Sequence, residues 1–295
     1  MTLRGTYTAL VTPFRDGAID EAALKELIDF QVREEIDGIV PCGTTGEAST
    51  LSYDEHERVI DLTVKWAGKG VTVIAGTGSN STKETVELTE IAKSLGAAMA
   101  LVVAPYYNRP TQEGMYLHFK KVAEEVDIPL VLYNIPGRTG VNMQPDLVAR
   151  LARIPGIAAI KEASGSVQQA ADIARLTGGK FPILSGDDNL FLPMMSVGAV
   201  GVISVVSNIL PGRVKALEQA FLDEKDHKKA LELHLGLTPF FQAMFIETNP
   251  VPVKEALYHM GMIEKEVRLP LCNLSAGSSD FLKGVLRNSG LLRRE

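Results

Sequence analysis

Apolar and polar positions along these 295 residues switch repeatedly between two periods. Short, almost continuous apolar runs recur at intervals of roughly 20–35 residues, each followed by a stretch whose apolar positions fall three and four apart. The runs are TALVTPF (8–14), GIVPCGTT (38–45), TVIAGTG (72–78), AMALVVAP (98–105), PLVLYNIP (129–136), IAAIKEA (157–163), FPILSGD (181–187) and GVISVVS (201–207). Strands apolar on both faces suit a parallel sheet covered by helices. The intervening helices are marked at their starts: Ser52-x-x-Glu55 and Ser81-x-x-Glu84 have the spacing of reciprocal capping boxes. Between Asp20 and Ile36, Leu24, Leu27, Ile28 and Val32 share one helical face.

Eight strand–helix units predict an α/β fold of the (β/α)8 barrel type, with a doubly wound open sheet as the alternative. The dinucleotide loop G-x-G-x-x-G and the phosphate loop are both absent, and GTGSN (76–80) reads as a strand-end turn. After Ser207 the alternation stops, and helical patterns follow at 213–221, 225–245, 253–260 and 280–286. They read as the eighth barrel helix plus a C-terminal helical extension, so the expected division is a barrel over 1–224 and a helical subdomain over 225–295.

Composition narrows the function classes. The net charge is −6, and no cluster of Lys and Arg overrides it, which argues against nucleic acid as a partner. Arg293-Arg294 reads as a solvated tail. Two cysteines, Cys42 and Cys272, make no disulfide framework; both thiols are expected to be buried, in a reducing, cytoplasmic setting. MTLRGTYTAL carries no long apolar signal-type run. The uncharged stretch Leu190–Gly212 is long enough to span a bilayer, but Pro193, Gly198, Gly201 and Pro211 break it. It reads as a short helix and a buried strand, with no membrane partner expected. The five histidines show no ligand spacing, so no metal site is expected.

In a barrel the chemistry gathers at the C-terminal ends of the strands. Those positions here hold hydroxyls, one arginine and one lysine. The lysine is Lys161, inside IAAIKEA. Alternation along a strand puts Ala159, Lys161 and Ala163 on one face, with Ile160 and Glu162 on the other. Two readings are open: a strand-end lysine reaching solvent or a carboxylate, or a desolvated amine able to form a Schiff base with a carbonyl substrate. The second needs proton relays but no metal or organic cofactor, and Tyr133, ending the preceding strand, could supply a phenol. A core tyrosine with a satisfied hydroxyl is the plainer reading of that residue.

Five motifs occur in order at these strand ends: GTTGE (43–47), APYYNRPTQEG (104–114), YNIPGRTG (133–140), IKEA (160–163) and LSGDD (184–188). Together with ALVTPF, NPVPVKEAL and RLPL they run nearly end to end. In them the chain resembles the dihydrodipicolinate synthase family of pyruvate-dependent class I aldolases, within the N-acetylneuraminate lyase superfamily. The resemblance implies a Schiff-base lyase condensing pyruvate with L-aspartate 4-semialdehyde to 4-hydroxy-tetrahydrodipicolinate, in lysine and diaminopimelate biosynthesis. It implies Lys161 as the imine-forming residue, Tyr133 as the central acid/base, and Thr44 as the hydroxyl linking it to Tyr107. In the family that second tyrosine crosses a dimer interface, so a homo-oligomer is implied, at least a dimer and by family habit a homotetramer. Thr45 would hold the pyruvate carboxylate and Arg138 that of the aldehyde substrate; Gly186 and Ile203 match positions whose backbone touches lysine or substrate.

The same resemblance suggests an inhibitory site for L-lysine formed by Ala48, Ser49, His56, Asn80, Glu84 and Tyr106. Tyr53 stands where lysine-sensitive members often carry histidine. The rival enzyme reading is an aldolase of 2-keto-3-deoxy sugar acids, and the RTG triplet speaks against it. A non-catalytic sensor barrel would have lost the lysine or the tyrosine.

Overall fold

The computed structural model describes residues 3–294. Eight parallel strands close into a barrel: β1 (Gly5–Ala9), β2 (Gly38–Val40), β3 (Thr72–Gly76), β4 (Met99–Val103), β5 (Leu130–Asn134), β6 (Ile157–Glu162), β7 (Ile183–Ser185) and β8 (Gly201–Ser204). Strand β8 returns to pair with β1, with Tyr7 opposite Ile203. Helices cover the outside, so every strand is buried on both faces, as its unbroken apolar run requires.

Two cores result. Inside the barrel Tyr7, Val40, Ile74, Leu101, Val131, Tyr133, Ala159, Leu184 and Ile203 pack together. The larger core lies between strands and helices and contains Leu24, Leu27 and Ile28 of the helix Glu21–Arg33. That helix is capped by Asp20, whose carboxylate accepts the Ala23 N–H at 3.0 Å.

The first strand lies earlier than its apolar run suggests. Pro13 cannot donate to a ladder, and the Thr12 hydroxyl turns away to donate to the Gly46 carbonyl at 2.8 Å. Phe14–Arg15 instead pairs antiparallel with Ala18–Ile19. The uncharged stretch 190–212 becomes a short helix (Phe191–Ser196) and then β8. Among the described residues no helix is long and apolar enough to cross a membrane. Gly76 ends β3 and Gly78 lies just past it: a Cβ on Gly76 would lie 2.1 Å from the Cys42 carbonyl oxygen, and one on Gly78 2.4 Å from the Val103 nitrogen.

Cys42 is buried but Cys272 is exposed, because it falls in the irregular segment before the helix Ala276–Asn288 rather than in an element with a core face. The box at Ser52 closes reciprocally with Glu55, whereas that at Ser81 is half formed. Ser81 accepts the Glu84 N–H, but the Glu84 carboxylate accepts from the Ser79 hydroxyl at 2.7 Å instead. The run Asp54-Glu55-His56-Glu57 is charged, yet one of its residues faces inward. His56 is buried, with Nε2 2.8 Å from the Gly76 carbonyl.

Candidate active site

Register places the lysine. Between β5 and β6 Leu130 pairs with Ile157, then Val131 with Ala159, so Ala158 is an extra residue in the pairing. The shift sets Tyr133 directly beside Lys161 and turns Ala159, Lys161 and Ala163 inward. Lys161 is only 6 % exposed, and its Nζ lies 4.3 Å from the centroid of the Tyr133 ring. Gly186, in the loop after β7, makes room for it: a Cβ there would sit 2.7 Å from Ala163 Cβ and 3.0 Å from Lys161 Cε.

The electrostatics are a contest. Burial, aided by Arg138, pushes the Lys161 amine down to about 8, while Asp187 and Asp188 pull it back up. Lysine over a phenol face also favours the charged form, by about 0.5–2 kcal/mol. Burial wins, and about a tenth of the amine is unprotonated at pH 7. Tyr133 is pushed up to about 12 by burial, against the opposing pull of Arg138 and of its hydrogen bond with Thr44. At neutral pH the phenol therefore enters a reaction as a proton donor.

The loop carrying Thr44 and Thr45 is gripped from below. Glu47 has a left-handed backbone (φ 54°), and its carboxylate takes Lys254 Nζ at 2.5 Å and the Arg268 N–H at 3.0 Å. The Glu47 and Lys254 side chains are each 1 % exposed. Asn249 Nδ2 donates to Thr45 Oγ1 at 2.9 Å, and the Asn249 carbonyl accepts from Arg138 Nη2 at 3.0 Å. Lysine deep in an apolar strand is therefore not the only buried lysine: Lys254 hides in the helix Val251–His259, 4.2 Å from the Phe14 ring.

A cleft of about 520 Å3 opens above this floor. Thr44, Tyr133 and Arg138 line it at one end, and Ala48, Ser49, His56, Glu84 and Tyr106 continue it. Lys161, Thr45 and Ile203 are buried beneath and, like the half-buried Gly186, do not line it. Asn80 is outside the lining too; its carbonyl accepts from Asn108 Nδ2 at 2.8 Å. Tyr107 is not brought to the site of its own chain: it is 89 % exposed, on a left-handed backbone (φ 70°). Among the described residues no cluster of three or more His, Cys, Asp or Glu could hold a metal ion.

Five contributors have no role in the sequence reading of the site: Asp187, Asp188, Asn249, Glu47 and Lys254. The aspartates stood in a motif, LSGDD, but without an assigned role. Asp188 is buried, and its Oδ2 accepts the Val205 and Val206 N–H groups at 2.9 and 3.1 Å. A carboxylate at a strand end is an available signal. Lys254 and Asn249 lie some 200 residues from their partners, and nothing local announces the pairing.

A closed parallel barrel with a desolvated lysine beside a buried phenol, and a cleft lined by that phenol, a threonine and an arginine, defines an imine-forming carbonyl enzyme of the lysine type. The chain belongs to the dihydrodipicolinate synthetase family, whose model matches residues 2–288. It is 55% identical over 289 residues to the 4-hydroxy-tetrahydrodipicolinate synthase of Pelobacter propionicus, covering 98% of this chain and 99% of that one. The crystal structure of dihydrodipicolinate synthase (DHDPS) from Aquifex aeolicus superposes with a TM-score of 0.97 at 49% identity, covering 99% and 100% of the two chains. The DHDPS of Cyanidioschyzon merolae, solved with lysine bound, has a TM-score of 0.95 at 38% identity, covering 98% and 99%.

Proposed function

We propose that the chain condenses pyruvate with L-aspartate 4-semialdehyde through an imine on Lys161, giving 4-hydroxy-tetrahydrodipicolinate. The observation that carries the reading is the inward, desolvated Lys161 in register with Tyr133. The neutral amine attacks the pyruvate ketone, and the oxygen leaves as water after protonation through Tyr133. The imine withdraws electrons, so a methyl proton is lost and an enamine forms. Its carbon attacks the aldehyde, whose oxygen takes up a proton. The amino group of the second substrate then attacks the imine carbon, closing the ring and releasing Lys161. Protons pass along Tyr133 and Thr44 without bulk water entering the barrel. Thr45 holds the first carboxylate, and the exposed guanidinium of Arg138 receives the second by a charge-assisted bond.

Reduction with borohydride in the presence of pyruvate, followed by peptide mass analysis, tests this. A pyruvyl adduct is expected on the Lys161 peptide, and its absence removes the mechanism.

A regulatory reading has separate support. If His56 Nε2 donates to the Gly76 carbonyl, Nδ1 is left as an acceptor, and it is buried without a partner among the described residues. With the Glu84 carboxylate freed from its cap, the far end of the cleft offers two acceptors to a cationic amino acid. The lysine-bound relative supports the same ligand class. Inhibition by L-lysine is the expected result, and a titration flat to millimolar concentrations removes it. The outward Tyr107 suits donation to the site of a second copy; sedimentation of Tyr107→Phe and wild type at equal concentration, with activity, tests that role.

A further inference from the structure

The C-terminal helical segment, far from the barrel strands in sequence, reaches both Thr45 and Arg138 through one residue. Asn249 is 6 % exposed and makes two contacts of different kinds. Its side-chain Nδ2 donates to Thr45 Oγ1 at 2.9 Å, and its backbone carbonyl accepts from Arg138 Nη2 at 3.0 Å. Its Oδ1 is buried with no partner among the described residues. The segment is anchored independently of that amide: Lys254, in the helix that follows, is locked to Glu47 at 2.5 Å, and the Arg268 N–H closes the same carboxylate.

The direction of the Asn249–Thr45 bond decides its meaning. The amide hydrogen occupies a lone pair of the Thr45 hydroxyl. The hydroxyl hydrogen has no protein acceptor among the described residues, so it is free to donate. An O–H whose oxygen already accepts a hydrogen bond is a stronger donor, because chained bonds polarise one another.

We propose that Asn249 is a positioning residue that turns Thr45 into a one-way hydrogen-bond donor toward the substrate carboxylate, while its main chain holds Arg138 for the second substrate. This rests on the reading of Thr45 as the pyruvate-carboxylate ligand. Asn249 touches neither reacting carbon and acts through Thr45 and Arg138.

The side-chain and backbone roles separate experimentally. Asn249→Asp keeps shape and main chain but replaces the donor by an acceptor, which captures the Thr45 proton and places negative charge behind an anion site. The pyruvate concentration giving half-maximal borohydride trapping at Lys161 should rise at least tenfold, and KM for the semialdehyde by less than threefold. Asn249→Ala should raise the pyruvate value three- to tenfold. That effect should disappear in a Thr45→Val background, since the amide then has no hydroxyl to orient.

An Asn249→Asp protein that folds and traps pyruvate within twofold of wild type overturns the proposal. So does an Asn249→Ala effect that persists in full with Thr45→Val, which also decides the matter if the aspartate variant does not fold. Wild-type protein giving no adduct at all is a different result: it removes the Lys161 reading, and this inference with it.

Discussion

The pH dependence of imine formation follows from the surroundings of Lys161. With the amine at about 8, the unprotonated fraction at pH 7 is about one in ten, against ~3 in 10,000 for an amine at 10.5, a gain of roughly 300-fold. The rate of adduct formation at low pyruvate should therefore climb tenfold per pH unit below 8 and flatten above it. Asp187 is the main group opposing the depression. In Asp187→Asn the inflection should move below 8 by ~1 unit, making the variant faster than wild type at pH 6 in this partial reaction. Stopped-flow or quenched trapping between pH 5.5 and 10.5 reads both curves. A wild-type inflection near 10, or a shift to higher pH in the asparagine variant, refutes the electrostatic argument.

The same depression has a stability sign. Between about 8 and 10.5 the unfolded chain holds a proton at this lysine that the folded chain does not, so stability rises with pH through that window. Below it the folded protein bears the full cost of a buried ammonium. Lys161→Met should therefore melt higher than wild type at pH 7, and the difference should shrink above pH 8 as the wild-type amine loses its charge.

Other substitutions test separate parts of the site. Gly186→Ala puts a methyl 2.7 Å from Ala163 Cβ and 3.0 Å from Lys161 Cε; displacing the amine by even ~1 Å should cost on the order of 100-fold in trapping rate, with a stability loss of about 1–3 kcal/mol. Unchanged trapping would show that the glycine is not there for the lysine. Glu47→Gln leaves Lys254 buried without its counter-charge and should destabilise by about 3–5 kcal/mol, seen as an early thermal transition. Arg138→Ala should raise KM for the semialdehyde ten- to a hundredfold, the ~1.5–3 kcal/mol of a charged hydrogen bond, with a much smaller effect on pyruvate trapping.

How far the sequence could be read depended on whether the physics was local. The barrel followed from eight apolar runs, because a strand covered on both sides has no polar alternative. Lys161 stood out for the same reason, as a charge in such a run, yet its surroundings left two readings open until the Ala158 irregularity set it against Tyr133. Helix caps were legible where both halves of the box are reciprocal, at Ser52, and misleading at Ser81, where a competing hydroxyl from Ser79 takes the carboxylate. Cys272 was expected inside because cysteine usually is; no pattern marks an irregular segment as exposed. His56 was hidden in a charged run, although helical spacing puts it on the same face as the buried Val59, Ile60 and Thr63.

The contacts that hold the loop of Thr44 and Thr45 were invisible for a deeper reason. Nothing in the sequence marks Lys254 as buried, since helices normally send their lysines to solvent. Here the helix Val251–His259 is buried on nearly every side, and its lysine can be accommodated only because Glu47, on a left-handed turn more than 200 residues earlier, meets it. Each charge is intelligible only with the other. A loop of four small residues and a glutamate would otherwise be soft where Thr44 and Thr45 must stay within a fraction of an ångström of their partners. Tying it to a buried helix converts folding energy into fixed hydroxyl positions, so the helical segment after the barrel belongs mechanically to the same site as the strands that carry the lysine and the phenol.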